Sequence, residues 1–349
     1  MDARRRSSSA APTASGGISR LALARAAAMG IDTAPLICRA GLSAKEMDDP
    51  NIRIGAANQV ALLKLVGEAL DDELLGLHLA AEFDPRVVGL VYFVLASSGT
   101  LAEALARAER YTVITNDGIV LHPLGGDEFG IRYTYVGVPR HADRHQIEFW
   151  AMAFVRIAAQ LTGTRNRPVR ISFAHPRCTS PDRAEEVEAI LGCRVAYGSS
   201  HDEVAFPPPA GTLPLIGADP FLNDLLVGYC EEALSHRRRP MEALRTQVEN
   251  AITPLLPHGK ARIGDVARAL GMSQRSLSRH LSSDGQTFAG ILDDLRLDLA
   301  RRYLGDPSLS VSEIAWLLGF QEVGAFTHAF KRWTGDTPSA LRRGLMKPS

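Results

Sequence analysis

One pattern occurs twice in this chain, 48 residues apart: Ile263-x-x-Val266-Ala267-x-x-x-Gly271-Met272 is answered by Val311-x-x-Ile314-Ala315-x-x-x-Gly319-Phe320. In each copy the apolar residues share one face of a 3.6-residue period, and the alanine is small enough for a second helix to cross closely. The glycine falls just past the helix end, where a left-handed backbone costs least. A second helix follows both glycines, over Ser273 to Leu281 and over Glu322 to Trp333. Two helices joined by a glycine turn, the second polar on one face, are a helix-turn-helix, whose second helix fits a major groove. A purely structural bundle would not need the whole unit twice.

Between the copies, Thr287 to Leu304 reads as one helix, with Phe288, Ile291, Leu292, Leu295, Leu299 and Tyr303 inward. Asp293, Asp294, Arg296, Arg301 and Arg302 are expected on its solvated side. At about 1.5 Å per residue it is a rod of roughly 27 Å. Such a rod can hold two recognition helices about one DNA turn apart, ~34 Å, on the same face of a duplex. Ser310 and Glu313 form the signature of a capping box at the start of the second unit, and its helix N-terminus suits a phosphate.

The net charge is zero, but it is divided along the chain. From Arg237 onward there are 17 Lys and Arg against 11 Asp and Glu, whereas residues 21–236 hold 18 against 27. A basic third on an acidic body suits a polyanion-binding module joined to a part that should not bind polyanions, and it argues against a nucleoid-type structural protein. The expected division is a disordered basic arm over 1–20, an α+β domain over 21–236, and an all-α tandem helix-turn-helix domain over 237–349 with its core at 255–345. His236-Arg237-Arg238-Arg239-Pro240 serves as the linker.

Within the middle region, Ala56 to Leu70 reads as a helix, and Thr100 with Glu103 as the capping box of the next. Ile119 to Leu124 and Glu128 to Val136 read as strands joined through Gly125-Gly126. His141 to Leu161 then reads as a helix, Val169 to Phe173 as a strand and Pro181 to Leu191 as a helix. Arg194 to Tyr197 and Glu203 to Phe206 read as short strands, and Asp219 to His236 as a helix leading outward. This alternation gives the α+β class but no strand order.

The longest nearly apolar stretch, Val87 to Ala96, is far short of the ~20 residues that cross a bilayer, and no secretory leader is written at the start. Cys38, Cys178, Cys193 and Cys230 form no C-x-x-C pair, which points to reduced, mostly buried thiols and a cytoplasmic location. No G-x-S-x-G, H-E-x-x-H, phosphate-binding or dinucleotide fingerprint occurs, so catalysis has no positive support and no cofactor is called for. His141, His145 and Glu148 carry the spacing of metal ligands on one helical face, yet such spacings are common on surface helices, and no metal is expected. Asp71-Asp72-Glu73 reads as a loop and helix start rather than a cation site.

The run Ile314-Ala315-Trp316-Leu317-Leu318-Gly319-Phe320, followed by Ala325 to Pro338 with its paired Phe326 and Phe330, Lys331 and Gly335, resembles the signature of the AraC/XylS family of bacterial transcription regulators. The resemblance covers about 255–345. It implies a double helix-turn-helix joined to a sensor domain, and the preceding ~200 residues resemble, by overall order, the effector domain of the branch that regulates amino-acid catabolism. Its implied partners are double-stranded promoter DNA, a small-molecule effector such as an amino acid or related metabolite, RNA polymerase and a second copy of the chain. Activation is implied rather than repression.

The family's base-reading positions fall here on Gln274, Arg275, Ser276 and Arg279, then on Val323, Gly324, Thr327 and His328. The first set is chemically rich, since arginine grips guanine and glutamine pairs with adenine. The second departs from the pattern: Gly324 stands where a polar residue is common, and His328 where arginine is frequent. The first unit is therefore expected to carry sequence discrimination. The second should hold phosphates through Ser310, Ser312, Lys331 and Arg332. Leu277, Leu281, Trp316, Phe326 and Phe330 are expected in the core, with Trp333 packed as well.

Overall fold

The computed structural model describes residues 11–125, 128–176, 181–235, 244–307 and 309–345. The chain divides into two compact units, one mainly before residue 243 and one mainly from there on. The first is α+β and the second all-α, as the patterning requires. The charge run 236–240 and the thiol of Cys178 lie outside the described residues.

The first unit opens with β1 (Thr13–Ala14), α1 (Gly17–Ala28), α2 (Ala34–Arg39), α3 (Ala44–Asp48) and β2 (Ile54–Gly55). It continues through α4 (Ala56–Leu70), α5 (Leu75–Glu82), α6 (Leu90–Ala96) and α7 (Leu101–Tyr111). The expected disordered arm is therefore wrong over 11–20. β1 pairs with β2, Ala14 and Ile18 are buried, and Arg20 donates to the carbonyls of Ser15, Met47 and Asp49. Residues 1–10 are not among those described.

α4 occupies the span its periodicity dictates. At α7, Thr100 caps Glu103 N–H, but the Glu103 carboxylate accepts from Gly99 N–H at 2.9 Å, so the reciprocal half of the box is displaced by one residue. Asp72, from the acidic triplet, accepts from Leu74 N–H and contacts His78 Nδ1 at 2.8 Å, a structural role at the entry to α5.

The sheet is built from β3 (Ile119–Pro123), β4 (Phe129–Tyr135), β5 (Arg170–Ser172), β6 (Val195–Ala196) and β7 (Asp202–Phe206), in the order β3-β4-β7-β5-β6. All neighbours are antiparallel except β5 and β6, and Leu121 faces Tyr133 across the first pair. The helices of this part are α8 (His145–Thr162), α9 (Pro181–Leu191) and α10 (Pro220–Ser235). β7 is buried along its whole length because it lies in the middle of the sheet. Its Glu203 accepts from Arg132 of β4 and Arg170 of β5, at 2.7 and 2.6 Å, so strand neighbours that are distant in sequence are also joined by charge.

The helix expected from His141 begins instead at His145, and Arg140–Ala142 form a separate 3-10 turn. The cause is Asp143, whose carboxylate accepts from Gln146 and Ile147 N–H at 3.0 and 3.1 Å and so fixes the helix start. His141 is thereby off the helix, which removes the face shared with His145 and Glu148. Glu148 is fully buried, receives Arg144 Nε at 3.1 Å, and its pKa is raised by burial. Among the described residues no cluster of three His, Cys, Asp or Glu side chains could hold a metal ion. Cys193 and Cys230 are free thiols pushed up to about 11 by burial, whereas Cys38 is exposed, against expectation. No helix of the described residues is long and apolar enough to cross a membrane.

The second unit comprises α11 (Leu244–Ile252), α12 (Ile263–Ala269), α13 (Gln274–Ser283), α14 (Phe288–Leu304), α15 (Val311–Leu317), α16 (Val323–Thr334) and α17 (Pro338–Leu345). One apolar cluster joins Val248 and Ile252 of α11 to Leu277, Leu281, Leu295, Leu299, Phe326 and Phe330. The helical core thus begins before residue 255, and the spacing Val248, Ile252, Leu256 is the sequence signal for it.

Candidate nucleic-acid interface

The two glycine turns are chemically the same object. Met272 N–H donates to Ala267 O at 2.8 Å and Gly271 N–H to Arg268 O at 3.0 Å. Phe320 N–H donates to Ala315 O at 2.9 Å and Gly319 N–H to Trp316 O at 2.8 Å. Both are Schellman motifs, in which a residue at positive φ lets two N–H groups turn back on the last helical carbonyls. Gly271 and Gly319 supply that residue, at φ 65° and 78°. Each turn then delivers a second helix whose apolar side is buried, through Leu277 and Leu281 in α13 and Phe326, Ala329 and Phe330 in α16.

On the outer side of α13, Gln274, Arg275 and Arg279 are exposed and Ser276 is half-buried. Ser273 caps the helix by accepting from Ser276 N–H at 3.1 Å, and its hydroxyl donates to Ser276 Oγ at 2.9 Å. Gln274 is less extended than its position suggests. Its amide lies against Gly264 of α12, where an added Cβ would fall 2.3 Å from Nε2. Among these four residues the arginines therefore have the freest reach.

On α16, Val323, Gly324 and His328 are exposed and Thr327 is half-buried. The Thr327 hydroxyl donates to Val323 O at 2.9 Å, which spends its donor inside the helix. Lys331 is exposed, while Arg332 Nη2 pairs with Asp293 of α14 at 3.1 Å. At the start of α15, Ser310 and Ser312 are exposed. The capping box is complete: Glu313 N–H reaches Ser310 Oγ at 3.2 Å, and Ser310 N–H reaches Glu313 Oε2 at 2.7 Å. Those hydrogen bonds hold the Glu313 carboxyl below its ordinary pKa. A carboxylate thus already sits at this helix start, and Ser312 is the freer of the two serines.

Two side chains differ from expectation. Trp316 is 56% exposed, because Ile314, Ala315 and Leu318 take the inward face of α15, and residue 316 lies about 200° round the helix from 314. Arg296 is no solvated charge. Its Nε donates to Leu318 O at 2.9 Å, and its guanidinium lies 4.5 Å from the centroid of Phe320. Burial pulls its pKa down against the opposing field of Asp293. It clasps α14 to the second glycine turn, a role that only the folded geometry reveals.

Matched Schellman-closed helix pairs, each presenting an exposed polar second helix within a unit of basic excess, define a tandem helix-turn-helix DNA-binding module. Residues 266–344 match the helix-turn-helix domain family, and residues 30–215 match the arabinose-binding N-terminal domain of AraC transcription regulators. The chain belongs to the AraC family of transcription regulators. It is 27% identical over 325 residues to an uncharacterized HTH-type transcriptional regulator of Mycobacterium tuberculosis, covering 90% of this chain and 92% of the relative. It is 29% identical over 320 residues to the ornithine utilization regulator of Pseudomonas aeruginosa, covering 90% and 91%. Over 95 residues it is 38% identical to the urease operon transcriptional activator of Escherichia coli, covering 26% of this chain and 32% of that one.

Proposed function

We propose that this regulator reads promoter DNA chiefly through α13, holds the duplex backbone through its second unit, and activates transcription when its N-terminal domain binds a small effector. The observation that carries the reading is the contrast between the two second helices. α13 presents two exposed arginines, Arg275 and Arg279, whereas α16 presents Val323, Gly324, an internally bonded Thr327 and His328. Arg275 and Arg279, with Gln274 and Ser276 beside them, face base edges. Val323, Gly324, Thr327 and His328 enter their groove with little to discriminate. Lys331, Ser312 and Ser310 contact phosphates. Arg332 divides its charge between a phosphate and Asp293, since an exposed ion pair is worth little and is readily exchanged.

The activator role is supported by the activator name of the Escherichia coli relative, and RNA polymerase is the partner that such a role would require. A second copy of the chain is supported by α10, where Phe221, Leu222, Leu225 and Tyr229 are exposed on one side of the helix. The helix is held in place by Asn223, which donates to Val94 O at 2.9 Å, and by Glu231, which receives Arg110 and Tyr111. A fixed apolar stripe of this kind meets its own copy across a two-fold axis.

Competition binding tests the division of labour. Arg275→Ala should lose about 1–3 kcal/mol of preference for the cognate site over a variant site. Lys331→Ala should weaken cognate and random DNA alike and lower the slope of log affinity against log salt by about 1. Equal effects of both substitutions on cognate and random DNA would refute it.

A further inference from the structure

Inside the first unit, α6, α7 and α8 stand against β3 and β4 around a cavity of about 80 Å³. That is room for several water molecules, and so for the body of a small ligand, since one water needs about 10–15 Å³. Leu95, Leu105, Leu121, Ile131, Phe154 and Ile157 are typical of its walls, and among the described residues no Asp, Glu, Lys, Arg or His side chain lines it. A second cavity of about 30 Å³ shares Val88, Thr115, Asn116 and Trp150 with the first, so Trp150 borders both.

The polar groups of the lining are nearly all spoken for. The Tyr133 hydroxyl donates to Trp150 O at 3.2 Å, and Tyr92 receives Gln160 Nε2 at 2.9 Å. Thr112 donates to Ala108 O at 2.7 Å and Thr115 to Thr112 O at 2.9 Å. Asn116 accepts from Gly118 N–H at 2.9 Å and donates to Gln146 Oε1 at 3.4 Å. Trp150 differs from these in that its indole Nε1–H is buried with no hydrogen-bond partner at all. A buried donor left unmade is unfavourable, and a ligand oxygen that met it would remove the penalty.

We infer that this cavity is the effector site and that the effector is an uncharged, mostly hydrocarbon molecule with one carbonyl oxygen, which accepts from Trp150 Nε1–H. The inference rests on the proposed control of DNA binding by the N-terminal domain, and it specifies the chemistry of that control. A pentose would bring several hydroxyls into walls that offer them almost no partners. An amino acid would bring two charges with no counter-charge, and both burials are strongly unfavourable. A hydrocarbon body instead gains from every wall it covers. The domain's resemblance to arabinose-binding regulators therefore describes its fold and not its ligand.

Isothermal titration of the full chain with methyl octanoate, L-ornithine and L-arabinose tests this. Methyl octanoate should bind at least tenfold more tightly than either polar compound. Trp150→Phe, which keeps the wall and removes the donor, should weaken the ester about tenfold while leaving 1-octene, which has no acceptor, unchanged. Leu105→Trp, or Val91→Phe if the first does not fold, should fill the cavity and abolish ester binding. Tighter binding of L-ornithine or L-arabinose, or an undiminished ester affinity in Trp150→Phe, would overturn the inference. Promoter selectivity measured on the same preparation separates the two claims. Selectivity without an ester site overturns only the effector class, whereas lost selectivity overturns the regulator reading itself.

Discussion

Gly271 and Gly319 hold equivalent places in the repeat, but their surroundings differ. Both have positive φ, which costs a side-chain-bearing residue roughly 1–2 kcal/mol. At Gly271 an added Cβ would meet open space, while at Gly319 it would lie 2.5 Å from the Leu256 carbonyl oxygen. Gly271→Ala should therefore destabilise the protein by about 1–2 kcal/mol. Gly319→Ala should cost clearly more, because the backbone of the 3-10 turn Thr253–His258 must also move. Urea unfolding midpoints check this, and equal midpoints for the two variants would contradict it. The need for both glycines was legible from their place just beyond an apolar period. The Leu256 carbonyl was not, since it comes from a segment 63 residues away and nothing in the sequence around Gly319 points to it. Trp316 shows the opposite error. Apolarity placed it in the core, whereas its angle on the helix, read from Ile314 and Ala315, points it outward.

Among the elements, helices were the most readable, because their signals are local: an apolar stripe, a capping serine or threonine, a closing glycine. α4, α14 and α15 appear where their stripes and caps place them. A boundary departs from the local pattern where a non-repeating group sets it, as Asp143 does for α8. The sheet order is the extreme case. β7 lies between β4 and β5, and nothing in five short residues states which strands will flank it. Arg296 carries the same lesson into the DNA-binding unit, where a charge on the rod helix was expected to face water and instead holds the second turn. Arg296→Met should leave Leu318 O without its charged donor and cost about 1.5–3 kcal/mol in urea unfolding. It should also loosen the second unit's hold on DNA, although residue 296 needs no contact with the duplex. An unchanged midpoint would show that this clasp has no weight.

For the molecule as a whole, the charge division and the repeat identified the working end of the chain. The α+β domain offered no motif that named its ligand, because a site made of aliphatic walls is written in the same residues as a core. Its surface is similar in this respect, since the stripe on α10 looks like any half-buried helix until the fold leaves it uncovered. Leu225→Glu should convert a dimer to a monomer in sedimentation equilibrium with little loss of thermal stability. A wild-type chain that sediments as a monomer at micromolar concentration would remove the second copy from the scheme.

The most direct test is hydroxyl-radical footprinting of the full chain on a cognate promoter fragment. α14, at 17 residues and about 25 Å, should set two protected patches about one helical turn apart on a single face of the duplex. In Arg275→Ala the patch under α13 should blur first. Protection on opposite faces, or none beyond that seen on bulk competitor DNA at moderate salt, would contradict a tandem helix-turn-helix reader.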